Sequence, residues 1–124
     1  MFTADGIEGI EVLRTKIPDE LQSWDEFGFI VDLHFFTDID DFGQDIKCLD
    51  ITLTDIENRY NILLHLRNVS GKVSFEPYNG FYSGLAIEEL SDNGYEKTKR
   101  FHFYSYEMDI DTDINCEKII AELV

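Results

Sequence analysis

The sequence predicts a mainly β fold: a single-domain antiparallel meander or sandwich with one short N-terminal helix. Three observations carry that expectation. Apolar and polar residues alternate with a period of two along most of the chain. Asn-, Asp- and Gly-rich turn signals recur about every 8–14 residues, and helical period is scarce. The chain has 124 residues, 44% of them hydrophobic and 14% aromatic. That is ample for one packed core and too short for two.

The elements follow in order. Pro18-Asp19-Glu20 supplies a proline and two acids suited to a first helical turn, leading through Leu21 to Trp24. Residues 27–36 (FGFIVDLHFF) place Phe29, Val31, Leu33 and Phe35 on one face, and Ile30, Asp32, His34 and Phe36 on the other. Residues 46–54 (IKCLDITLT) set Leu49, Ile51 and Leu53 against Cys48, Asp50 and Thr52. Residues 60–69 (YNILLHLRNV) set Ile62, Leu64 and Leu66 against Asn61, His65 and Arg67. A short strand over 72–76 turns Val73 and Phe75 inward, and 81–90 and 99–107 add two more. Turns are expected at Asp41-Phe42-Gly43, Asp55-Ile56-Glu57-Asn58, Ser70-Gly71, Pro77-Tyr78-Asn79-Gly80 and Asp92-Asn93-Gly94. The tail, residues 116–124 (CEKIIAELV), is open between two readings. Ile119, Ile120 and Leu123 fit one helical face, and a strand continuing from Ile110 fits nearly as well.

Charge sets the class of partner. Ten Lys plus Arg against 26 Asp plus Glu give a net charge of −16. Such a balance repels nucleic acid and anionic membrane, and favours basic proteins or cations. No apolar run reaches the roughly 18 residues of a membrane helix. The opening MFTADGIEGIEVLR lacks the features of a signal peptide. Two cysteines, Cys48 and Cys116, match no metal or disulfide framework, and free thiols of a cytoplasmic protein are expected.

The acids concentrate in two places. Asp38, Asp40, Asp41 and Asp45 surround one turn, and Asp109, Asp111 and Asp113 occupy every second position of YEMDIDTDINC. Neither is a calcium loop of the EF-hand type. From Asp109 the required glycine at position 6 is Ile114 and the glutamate at position 12 is Ile120; from Asp38 those at positions 5 and 12 are Phe42 and Leu49. In a strand, Met108, Ile110, Thr112 and Ile114 take one side and the aspartates the other, about 7 Å apart. That outward row meets water, a neighbouring lysine or a basic partner. Tyr104 and Tyr106 lie on the preceding strand, and tyrosine among acids suits a protein interface or a sugar platform.

Other chemistry finds little support. His34 and His65 share the polar face of their strands, and with Asp32 they would form a metal site only if those strands met. No nucleophile elbow, phosphate loop or cofactor motif occurs, so no catalytic residue is assigned. The basic cluster Lys97-Thr98-Lys99-Arg100 is expected to pair with an acidic strand.

A looser likeness runs over residues 24–120. An amphipathic strand ends in Arg67-Asn68-Val69, and a short Val73-Ser74-Phe75 strand and an Asn79-Gly80 turn follow. Next come Ser83-Gly84-Leu85-Ala86-Ile87 and an aromatic strand leading into Asn115-Cys116. This pattern resembles the small β-rich immunity proteins of bacterial polymorphic toxin systems. Those relatives often carry a His-Asp pair before the first strand, where this chain reads Trp24-Asp25-Glu26-Phe27. The resemblance implies a cytoplasmic inhibitor that binds a basic toxin domain and performs no catalysis. The acids of both rows and the two tyrosines are its candidate contacts. A calcium- or carbohydrate-binding β-domain is the alternative.

Overall fold

The alternating segments assemble into two antiparallel sheets in a computed structural model that describes residues 1–73, 84–90, 100–105 and 112–124. In the first sheet, β1 (Phe29–Ile39), β2 (Asp45–Thr54) and β3 (Asn61–Arg67) form a meander, and β8 (Lys118–Leu123) completes the order β1-β2-β3-β8. The second sheet contains β4 (Ser70–Lys72), β7 (Asp113–Cys116), β6 (Phe101–Ser105) and β5 (Leu85–Glu89), ordered β4-β7-β6-β5. The fold is mainly β, as the alternation requires. The tail resolves in favour of strand: β8 pairs Ile119 with Leu66 and Ala121 with Leu64, and burying Ile119 and Ala121 beside β3 outweighs the weaker helical stripe.

Period two decides what is inside. Leu49, Ile51 and Leu53 of β2, Ile62, Leu64 and Leu66 of β3, and Ile119 of β8 are all buried on one face of the first sheet. Ile87, Phe101, Phe103, Ile114 and Cys116 form the corresponding face of the second. Both sets belong to one cluster, so the sheets face each other across a shared core. Each such Leu, Ile or Phe contributes roughly 1.5–3 kcal/mol by burial, which makes this layer the main source of stability.

The chain crosses between the sheets twice at one corner. Arg67 pairs with Lys118 in the first sheet and Ser70 with Asn115 in the second, and Glu117 N–H donates to the Arg67 carbonyl at 3.0 Å between them. Two residues with positive φ make the bend, Asn68 (58°) and Gly71 (90°). A Cβ at Gly71 would collide with the Asp113 carbonyl. The Ser70-Gly71 signal thus marks a left-handed backbone, but inside strand β4 and not in a turn between strands. The expected strand over 72–76 lies mostly outside the described residues, as do the turns at 77–80 and 92–94.

The helix lies elsewhere than expected. The α-helix α1 covers Ile10–Lys16, while the segment from Pro18 forms only two 3-10 turns, Asp19–Leu21 and Trp24–Phe27. The break falls at Ile17, which is extended (φ −91°, ψ 133°) before Pro18. Buried Gln22 secures it: its amide donates to the carbonyls of Leu13 (2.9 Å) and Ile17 (2.7 Å), satisfying acceptors at the C-terminal end of α1. Buried Ile7, Ile10, Leu13 and Ile17 hold α1 against the core.

The N-terminal arm also closes sheet edges. Glu8 N–H donates to the Ile119 carbonyl (3.0 Å) and Ala121 N–H to the Glu8 carbonyl (2.7 Å), adding a parallel bridge to β8. Gly9, at φ 86°, allows the approach, because a Cβ there would meet the Ala121 carbonyl. Thr3 Oγ1 donates to the Ile87 carbonyl (3.0 Å) and Gly6 N–H to Glu89 (2.7 Å), covering β5.

Asp55 organises the β2–β3 turn from a fully buried position. Its carboxylate accepts the N–H groups of Arg59 (2.8 Å) and Tyr60 (3.0 Å) and the Arg59 guanidinium (3.1 Å). Burial pushes its pKa up, but the hydrogen bonds from Tyr60 and Arg59 outweigh that and hold it below the ordinary value. A carboxyl with a depressed folded pKa stabilises above its unfolded value, near 4, and the contribution is lost as pH falls through the folded value. Denaturant titrations should therefore show level stability from about pH 7 to 5 and a fall below about pH 4. Asp55→Ala is expected to cost about 3 kcal/mol at neutral pH and to make that acid decline shallower.

Candidate functional site

The structure divides the expected contact residues between two surfaces. Asp38, Asp40, Asp41 and Asp45 belong to the β1–β2 hairpin, whereas Tyr104 and Asp113 lie on the outer face of the second sheet. Tyr106, Asp109 and Asp111 lie outside the described residues.

The hairpin assigns its aspartates different jobs. Asp40 Oδ1 accepts the N–H groups of Phe42 and Gln44, each at 2.9 Å, and its carbonyl accepts Gly43 N–H at 3.1 Å. Asp40 is therefore the internal clasp of the turn, a use of Asp that follows from its short acceptor side chain. Asp38, Asp41 and Asp45 remain exposed around it, with Phe42 89% and Ile39 63% exposed beside them. Lys47, the one base within β2, donates to Thr37 at 2.9 Å. The tip thus combines three outward carboxylates with uncovered apolar groups.

On the second sheet Tyr104 and Asp113 are cross-strand partners. Tyr104 donates to Glu88 at 2.6 Å, the His102 ring hydrogen-bonds Asp113, and the His102 and Tyr104 rings stack at 4.3 Å. Asp113 points outward between buried Thr112 and Ile114, as alternation requires. It therefore sits between His102 and Tyr104 on one side and Lys72, its register partner on β4, on the other. Nearby, Arg100 pairs with Glu89 at 2.8 Å, as expected of the end of the basic cluster; residues 97–99 lie outside the described residues.

A third polar group, on the outer face of the first sheet, gathers the two histidines that alternation placed on polar strand faces, in a register the sequence did not give. His34, Asp50 and His65 form one cross-strand row over β1, β2 and β3. His65 Nδ1 lies 3.0 Å from Asp50, and its Nε2 lies 2.8 Å from Glu122. Arg67 donates to Asp50 at 2.8 Å and stands over the Phe36 ring, which stacks with His34. Burial pushes the Asp50 carboxyl up, but hydrogen bonds from Arg67 and His65 overcome this and hold it below the usual range. The acid between the histidines is Asp50 instead of Asp32. Among the described residues no group of His, Cys, Asp and Glu is arranged to hold a metal ion.

Both cysteines are buried and free. Desolvation pushes the Cys116 thiol up to about 12, so it stays protonated and unreactive at neutral pH. Asp25, where the immunity-protein pattern has its His-Asp pair, accepts Gly84 N–H at 2.5 Å and ties the 3-10 turn to the residue that leads into β5. No helix among the described residues is long and apolar enough to cross a membrane. Comparison with family models, curated proteins and solved structures finds no match to this chain.

The hairpin predicts a split among its acids. Replacing Asp38, Asp41 and Asp45 together by Asn should leave the urea midpoint unchanged or slightly raised, since like charges are removed. Asp40→Ala alone should cost about 1 kcal/mol through two lost backbone acceptor contacts. Equilibrium urea unfolding of the two variants checks both.

Proposed function

We propose that this chain is an acidic inhibitor of the immunity-protein kind, which binds and neutralises a basic partner domain such as a toxin nuclease. The hairpin supports that reading best. Asp38, Asp41 and Asp45 surround exposed Phe42 and Ile39, on a chain of net charge −16. Excess negative charge raises the encounter rate with a positive cleft, and an exposed aromatic anchors the complex once formed. The cation- or sugar-binding alternative draws on Asp113 and Tyr104, and both of these already engage neighbours, His102 and Glu88.

The test is a binding measurement with the basic domain encoded beside this gene. Association is expected to slow by about tenfold or more between low and high salt. Neutralising Asp38, Asp41 and Asp45 to Asn should slow association several-fold and change dissociation less. An association rate indifferent to salt and to those three charges would remove the electrostatic reading. If the domain does not bind at all, the inhibitor reading falls with it.

A further inference from the structure

Among the described residues, strand β1 is left incomplete in a way no other element is. It runs for 11 residues at the end of its sheet, and among the described residues only β2 pairs with it. The other edges are covered or short. Glu8 bridges β8, Thr3 and Gly6 cover β5, and β4 has 3 residues.

Its core-side row is also uncovered. Leu33 pairs with Ile51 and Phe35 with Leu49, which places all four on the core face. Ile51 and Leu49 are 0% and 1% exposed, while Leu33 is 40% and Phe35 52% exposed. Val31, at the register shift between Ile30 and Asp32, is 56% exposed. The sheet therefore projects past the layer beneath it and carries an apolar strip into solvent. On the opposite face Asp32 and Asp38 are exposed, with His34 and Phe36 between them. A long open edge with an apolar strip on one face and two outward acids on the other is a template for one more strand.

The charges decide what that strand is. A second copy pairing antiparallel at this edge would bring two chains of net −16 together. With Phe35 at the dyad it would set Asp32 directly opposite Asp38 on both sides, an unfavourable cross-strand pair. A partner segment of opposite character has no such cost. Its apolar residues would cover Leu33 and Phe35, and its alternate Lys or Arg residues would meet Asp32 and Asp38.

We propose that β1 takes an extended, basic segment of the partner protein by strand addition, a docking mode that rests on the inhibitor reading given above. The acidic hairpin next to it guides the segment in, and the edge hydrogen bonds and apolar strip hold it.

The test uses the full chain, isotopically labelled, and an eight-residue peptide of alternating Val and Lys, compared with a variant in which a central Val is replaced by Pro. Saturable amide shifts confined to β1 and its hairpin are expected, weakened by salt, with at least tenfold weaker binding of the Pro variant. Leu33→Lys with Phe35→Lys should abolish the response, while Val12→Lys, a new charge on the exposed face of α1, should not. Equal binding of both peptides, shifts mapping to the second sheet, or a dimer joined through β1 would each overturn strand addition. Two outcomes separate this proposal from the reading beneath it. A Leu33→Lys/Phe35→Lys variant that still neutralises the neighbouring basic domain overturns the docking mode alone. Peptide binding at β1 without any binding of that domain supports the edge and overturns the inhibitor.

Discussion

Two hydrogen bonds at Glu8, one to the Ile119 carbonyl and one from Ala121 N–H, hold the rest of the arrangement in place. They fix the N-terminal arm against β8, from where Thr3 and Gly6 reach β5 in the other sheet. The arm thereby spans both layers. It also carries Phe2, whose ring packs 4.6 Å from Trp24, and buried Ile7, Ile10 and Leu13. Without that backbone contact these side chains would lose their position over the core. The cost would exceed two hydrogen bonds, because the burial of several large apolar groups depends on them.

Much of this was legible in the residues, and the failures have physical causes. Residues 46–54 and 60–69 alternate cleanly, and both became strands with the expected faces inward. Residues 7, 10, 13 and 17 carry a helical period too, but Gly6 and Gly9 read as punctuation, and Val12 and Thr15 are β-branched. The glycines are there for close approach to other chain segments, a tertiary requirement with no local signature. Pro18-Asp19-Glu20 does start a turn of 3-10 helix, and it ends at Gln22, whose side chain turns inward to the carbonyls of Leu13 and Ile17, a tertiary contact with no local signature.

The candidate sites show the same division. Exposed acids in a hairpin follow from composition and turn chemistry alone. That Asp40 serves the turn while Asp38, Asp41 and Asp45 face solvent depends on backbone angles within it. The His34–Asp50–His65 row needs the register of three strands, which alternation leaves undetermined. Alternation also gave Leu33 and Phe35 the right face without saying whether a second layer would reach them. It does not. Edge exposure is a property of sheet order and layer overlap, and both are set by distant parts of the chain.

Closing β5 and β8 with the arm while leaving β1 open is what gives the molecule a direction: an anchored side and a receptive one. Native-state hydrogen exchange on the free, dilute protein tests this most directly. The Ala121 amide and the paired amides between β2 and β3 should exchange only through global unfolding. About every second amide of β1 between Leu33 and Asp38 should exchange orders of magnitude faster, since among the described residues no strand pairs with its outer edge. Uniform protection along β1, equal to that of β3, would contradict the account.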